Sequence, residues 1–310
     1  MTFRLCCAII LAASAPAFAG DVIFADVLNF TDPDGNSIRR IHDDGTGLQT
    51  LINTGGGVRG VDVDQAHNYI YWTDTDNFVI RRAHFDGSGQ QDLINSGLAF
   101  PAALRLSPAS GKFYWGDASN DEIRRANLDG TTPEFVGSTP FHRGLALDNV
   151  NSKIYWTTSI TPSTGRIMKS NLDGSSPQVV VSSPAASFKP GNLALDLTGG
   201  KIYWTDQILN SVRRSNLDGT NIQDLFVTGL GSPKGITLDL AGGKVYWGQD
   251  IDNEGSVTGQ IYKANLDGSG RQLIADNLGS VNDLVFVVPA PGSAVLLLAA
   301  AGFAQRRRRS

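Results

Sequence analysis

Three basic residues stand at one equivalent place in this chain: Arg59, Arg143 and Lys234 each precede a short apolar run that opens with glycine, Gly60–Asp64, Gly144–Asp148 and Gly235–Asp239. Cations repeated in that way could hold a carboxylate, a phosphate or an acidic sugar, and arginine can clamp such a group through two N–H donors. His142, Asn192 and Asn282 lie at or beside the same position of related runs and are the neutral candidates for the same ligand. Pairing of the three cations with nearby aspartates is the competing reading. A second chemistry is offered by acidic stretches, Asp32-Pro33-Asp34-Gly35-Asn36 and Asp250-Ile251-Asp252-Asn253-Glu254, which place oxygen ligands at alternate positions as calcium prefers. Asp32, Asp34, Asn36, Asp250, Asp252 and Glu254 are the candidate calcium ligands, set against ordinary solvated turns, since neither stretch completes a calcium-binding loop. The histidines, His42, His67, His84 and His142, have neither a paired nucleophile nor metal-ligand spacing, so the residues lay out no catalytic constellation.

Composition narrows the field. The chain has 310 residues, 41% of them hydrophobic, with 35 glycines and a formal charge of −4. That describes a globular protein with an acidic balance, which argues against general nucleic-acid or anionic-membrane binding. Arg81-Arg82, Arg124-Arg125 and Arg213-Arg214 do not change this, because neighbouring residues of a strand point to opposite faces and the pairs are far apart in the chain. Residues 1–19 carry Arg4, an apolar run and Ala17-Phe18-Ala19, the pattern of a secretory signal peptide. Both cysteines, Cys6 and Cys7, lie inside it, so the mature chain would have no disulfide or thiol chemistry. Without Arg4 and the tail arginines Arg306 to Arg309, 21 basic residues face 30 acidic ones.

The elements that must position the candidate residues come from a repeat. Tyr-Trp-Thr-Asp or a close variant begins at Tyr71, Tyr114, Tyr155, Tyr203 and Tyr246, with a degenerate copy at Ile23-Phe24-Ala25-Asp26. Successive copies are 48, 43, 41, 48 and 43 residues apart, a period that suits four short strands, one propeller blade. Each unit reads as an apolar inner strand, the Tyr-Trp strand, a third strand such as Val212-Arg213-Arg214, and an Asp-Gly hairpin into a fourth. The first unit lacks an inner strand and the last is followed by an extra one, Ser280–Phe286. Pairing the two predicts an all-β, six-bladed propeller whose ring is closed by the C-terminal inner strand inside the N-terminal blade.

On these residues, the units resemble YWTD repeats, the class B repeats of the low-density-lipoprotein receptor family, over residues 21 to 287. Thr158 and Gln249 depart from the tetrad aspartate. The resemblance implies six-bladed propellers that recognise a protein or peptide across the channel-mouth face. The C-terminal segment, residues 289–310, resembles the PEP-CTERM sorting signal of bacterial envelope proteins, with Ala290 in place of its glutamate, a short apolar run and an arginine cluster. It implies processing by an exosortase and membrane contact only through the tail beforehand. The resulting expectation is an exported, monomeric propeller over residues 20–288, a non-catalytic binding or scaffold protein of the envelope or extracellular matrix. It would bind a protein, peptide or glycan, with calcium as the one cofactor to consider. The alternative is a lactonase-like, metal-dependent hydrolase or lyase using inner-strand groups such as Asn192, Asn282 and Asp283.

Overall fold

The computed structural model describes residues 20–27, 35–161, 164–182, 188–227, 231–253 and 256–288, and the regular structure there is β apart from a single turn of 3-10 helix at Pro108–Ser110. The expected signal peptide and sorting signal lie outside the described residues, as do Asp32, Asp34 and Glu254. Six four-stranded antiparallel sheets make six blades. The inner strands of blades 2 to 6 are Val58–Asp64, Pro101–Ser107, Phe141–Asp148, Pro190–Asp196 and Gly231–Asp239. Blade 1 is assembled from both ends of the chain: inner strand Ser280–Val287 pairs with Asp21–Val27, Phe24 standing opposite Leu284. The ring therefore closes as the strand count predicts.

What holds one blade to the next follows from the two-residue period of a strand. Tyrosine and tryptophan of one tetrad point to opposite faces of their sheet, so the tyrosine of each blade meets the tryptophan of the following one. Tyr71 packs with Trp115, Tyr114 with Trp156, Tyr155 with Trp204 and Tyr203 with Trp247. The degenerate copy obeys the same rule, Phe24 receiving Tyr246 while Ile23 packs against Trp72. The tetrad aspartate ends its strand by accepting N–H groups two and three residues on, Asp76 and Asn77 at Asp74, and Ile208 and Leu209 at Asp206. Thr158 and Gln249 cannot do this, and in blades 4 and 6 the strands run on to Thr161 and Asn253, forming two long hairpins.

The Asp-Gly turns dock each blade on its predecessor. Gly219 has φ +84°, and a Cβ there would collide with the Val180 carbonyl of blade 4; Gly174 meets Val136 of blade 3 in the same way. The aspartates before them bind the N–H and hydroxyl of the residue two on, as Asp218 does with Thr220 at 2.9 and 2.7 Å. The third-strand cations answer from the other side: Arg82, Arg125 and Arg214 donate to the carbonyls of Leu128, Leu172 and Leu266 in the next blade. Their partners in the pairs bind within the blade, Arg81 to Asp74 and Arg213 to Asp224. The arginine pairs are mortar, which explains their recurrence.

At the axis the inner strands pack side by side, with Gly60, Gly144 and Gly235 at points where a Cβ would meet the neighbouring inner strand. One buried ion pair crosses the channel there. Arg105 of blade 3 binds Asp283 of blade 1 through Nη1 at 2.7 Å and Nη2 at 3.0 Å, and Nη2 also reaches Asn192 of blade 5 at 3.3 Å. Asn192 donates in turn to Asp283 Oδ1 at 2.6 Å, and Asp283 Oδ2 accepts the Val61 N–H of blade 2. Burial opposes the Arg105 charge, but Asp283, its hydrogen bonds and Asp62 outweigh it and hold the guanidinium pKa above its ordinary value.

Two outcomes are expected. The six turn carboxyls, Asp44, Asp86, Asp129, Asp173, Asp218 and Asp267, are held below their ordinary 3.8, chiefly by hydrogen bonds from the hydroxyl two residues on. Their contribution to stability is whole above that value and is lost as pH falls through the lower native values. The thermal midpoint should therefore drop as the pH falls below about 4, and less steeply when Asp173→Asn and Asp218→Asn are combined. Arg105→Met, which strands the Asp283 charge, should cost about 3–5 kcal/mol in urea unfolding, with part recovered by adding Asp283→Asn.

Candidate ligand-binding site

The N-terminal ends of the inner strands define one mouth of the channel, and each carries a β-bulge there. The register slips between Val58 and Val61, between Phe141 and Leu145, and between Pro233 and Ile236, the places where Arg59, Arg143 and Lys234 sit. A bulge re-aims side chains and leaves backbone groups unpaired. The buried tetrad threonines take up those groups. Thr73 accepts the Gly60 N–H at 2.9 Å and Thr157 the Gly144 N–H at 2.8 Å, while Thr205 accepts from Asn192 and donates to the Lys234 carbonyl at 2.8 Å. The repeated threonine thus fixes the backbone that presents the unrepeated cations.

The three cations are brought together at this mouth. Arg59 Nη1 donates to Asn282 Oδ1 at 3.1 Å, its guanidinium lies over the Phe100 ring at 5.7 Å, and its Nε is buried without a partner. Arg59, Phe100, Ala102, Arg143 and Asn282 line a depression of about 20 Å³, room for a water or the tip of a carboxylate. Lys234 is paired with Asp250 and also meets Ser280, so the pairing alternative holds for that residue. No acceptor meets the Arg143 guanidinium among the described residues. Burial pushes its pKa down to about 10, the nearby Arg59 charge adding to the effect and Asp250 opposing it. Arg59 and Lys234 are lowered too, burial being the largest cause in each, against the pull of Asp76 and then Asp250 on Arg59 and of Asp250 on Lys234.

The remaining candidates are placed differently. His142 belongs to the inner strand of blade 4, and its side chain lies outside the described residues. Asn282 is at the mouth, its amide donating to the Val58 carbonyl, but Asn192 is deeper, bound to Arg105 and Asp283. A divalent metal at Asn192, Asn282 and Asp283 does not fit these residues: both Asp283 oxygens are taken by Arg105, Asn192 and backbone N–H groups, so a guanidinium already neutralises the acid a metal would need. Asp250 and Asp252 belong to a strand, Lys244–Asn253, paired with Ser256–Asn265, where the sequence suggested a loop. The Asp250 carboxylate is held by Lys234, and Asn36 offers its backbone carbonyl to Thr54.

Two contributors escaped the sequence reading. Phe100 precedes its strand, where only its aromatic type could have drawn notice. The pairing of Asp250, a candidate calcium ligand, with Lys234 was the other, and its clue was Gln249, the missing turn aspartate that lets the strand continue past it.

Comparisons with known proteins agree with this architecture. Residues 200–240 match the model of the low-density lipoprotein receptor repeat class B, the unit that carries Tyr203-Trp204-Thr205-Asp206. No curated protein matches the chain. Among solved structures, a chain of a nidogen/laminin complex superposes with a TM-score of 0.72 at 20% identity, covering 86% of this chain and 98% of that one. TolB from Acinetobacter baumannii gives 0.67 at 15% identity, covering 87% and 67%. Virginiamycin B lyase from Staphylococcus aureus gives 0.53 at 17% identity, covering 78% and 73%. At these identities the likeness is one of fold, and this chain is an all-β, six-bladed propeller in which one unit matches the class B receptor repeat.

Proposed function

We propose that this protein is an exported, non-catalytic recognition module that grips an anionic group of a protein, peptide or glycan at the cationic mouth of its channel. One observation carries the reading: the Arg143 guanidinium is largely buried with no acceptor in contact among the described residues, the Asp250 carboxylate that acts on it from a distance being paired with Lys234, and the further cations Arg59 and Lys234 lie beside it. Leaving a buried charge unpaired costs stability, and a carboxylate or phosphate arriving from outside would supply the missing partner. Arg143 is the primary anchor, Arg59 the second donor held in place by Asn282 and Phe100, and Lys234, shared with Asp250, sets the field. The small depression suits a single carboxylate tip, such as an acidic side chain or a uronic acid, with the rest of the ligand outside it. The long hairpins of blades 4 and 6 rise on this face to either side of blade 5 and would meet that remainder. Export and release from the membrane rest on the terminal segments, an exosortase acting on the latter, and the protein would work as a monomer.

A binding array of acidic peptides and uronic-acid oligosaccharides tests this. Arg143→Ala should weaken the best ligand by tenfold or more, about 1.5–3 kcal/mol for a charged hydrogen bond. In the absence of ligand the same variant should unfold at an equal or higher temperature, since it relieves an unpaired charge. Equal binding by wild type and Arg143→Ala, or a preference for neutral ligands, would refute the assignment.

A further inference from the structure

The ion pair at the axis also closes off the other end of the channel, where a cavity of about 260 Å³ opens on the face opposite the cationic mouth. Its wall is a collar of leucines, Leu106, Leu147, Leu195, Leu238 and Leu240, and the partly buried Asp62 and Arg105 line its polar end. Leu240 is 46% exposed, which puts the collar at the surface. Two carboxylates, Asp62 at the polar end and Asp283 buried behind it, face one cation, Arg105. That cation is committed elsewhere: Nη1 donates to Asp283 and the Leu104 carbonyl, both at 2.7 Å, and Nη2 to Asp283 and Asn192. Asp62 accepts only backbone donors, the Leu106 N–H on Oδ2 and the Val63 N–H on Oδ1, each at 2.8 Å. Each oxygen keeps a free lone pair. Burial pushes the Asp62 carboxyl up, against the opposing pull of Arg105 and those two hydrogen bonds, so the charged form lacks a full partner.

We propose that this cavity is a second binding site, independent of the mouth, that takes an alkylammonium group with its charge on Asp62 and its carbon chain against the leucine collar. The desolvation of Asp62 is already spent in folding, so an incoming ammonium loses only its own hydration and gains a charged hydrogen bond in a sheltered place. The leucines cover the methylene chain as it leaves water. An alkyl carboxylate would bring a third negative charge beside Asp62 and Asp283, with only the Nε–H of Arg105 left to receive it, and a neutral alkyl chain would leave the Asp62 carboxylate unanswered. Both a free aliphatic amine and a lysine side chain present this chemistry.

Calorimetric titration of the full chain with n-hexylammonium, n-hexanoate and n-hexanol tests the assignment. Saturable binding of the ammonium, at least tenfold tighter than either analogue and at least tenfold weaker in Asp62→Asn, is expected. Comparable binding of hexanoate or hexanol, or undiminished ammonium binding by Asp62→Asn, would overturn it. Asp62→Asn keeps an acceptor for one of the two backbone N–H groups, and Ala194→Phe fills the cavity without removing the carboxylate; ammonium binding that survives Ala194→Phe would equally overturn the site. A parallel titration with Nα-acetyl-lysine amide separates the sources: affinity matching hexylammonium supports a lysine side chain, and markedly weaker affinity supports a free amine.

Discussion

The bidentate pair between Arg105 and Asp283 is the constraint on which the rest of the molecule turns. Six blades around an axis leave a channel, and water in that channel would wet the inner strands. A guanidinium held by a carboxylate from two blades away, an amide from a third and a carbonyl of its own strand fills the axis with a hydrogen-bonded network in which Arg105 and Asp283 offset each other's charge. Such a group is costly to bury and more costly to half-remove, which makes it a specifier of how the ring closes as much as a source of stability. It also gives the channel two unlike ends. On one side the strand starts present cations; on the other the strand ends present leucines around a leftover acid.

Between those ends the chain uses agreement and disagreement among its copies for different purposes. The tyrosine and tryptophan must repeat because each blade is both a knob and a socket for its neighbours. The tetrad threonine repeats in blades 2, 4 and 5, where it steadies the bulge beside the channel. The tetrad aspartate repeats wherever a blade turns tightly. Blades 4 and 6, which lack it, carry the long hairpins, and the second of these brings Asp250 to Lys234. Specific chemistry therefore sits on a backbone that the conserved part of the repeat makes rigid, as in other scaffolds that present functional loops.

The fold could be read from the sequence because every element carried a local signal: alternating residues, an Asp-Gly turn, a period near forty and an unmatched strand at each end. The cationic row at the mouth was legible for the same reason, since equivalent positions in repeats share a height along the axis. The pairing partners were not. Arg105 stands in the row of Asp62, Ala146, Ala194, Thr237 and Val285, so an arginine beside an aspartate was the only hint. Its partner is 178 residues away and meets it only when the ring closes. Asp250 and Asp252 looked like loop ligands because acidic composition does not distinguish a turn from an exposed hairpin.

The central claim is that the mouth is built to receive an anion on Arg143. A crystal structure of the mature protein bound to the best acidic ligand found for it tests this most directly. The account predicts a ligand carboxylate or phosphate within hydrogen-bond distance of the Arg143 guanidinium, with Arg59 as a second donor. A ligand seated on another face, or Arg143 closed by a carboxylate of its own chain, would contradict it.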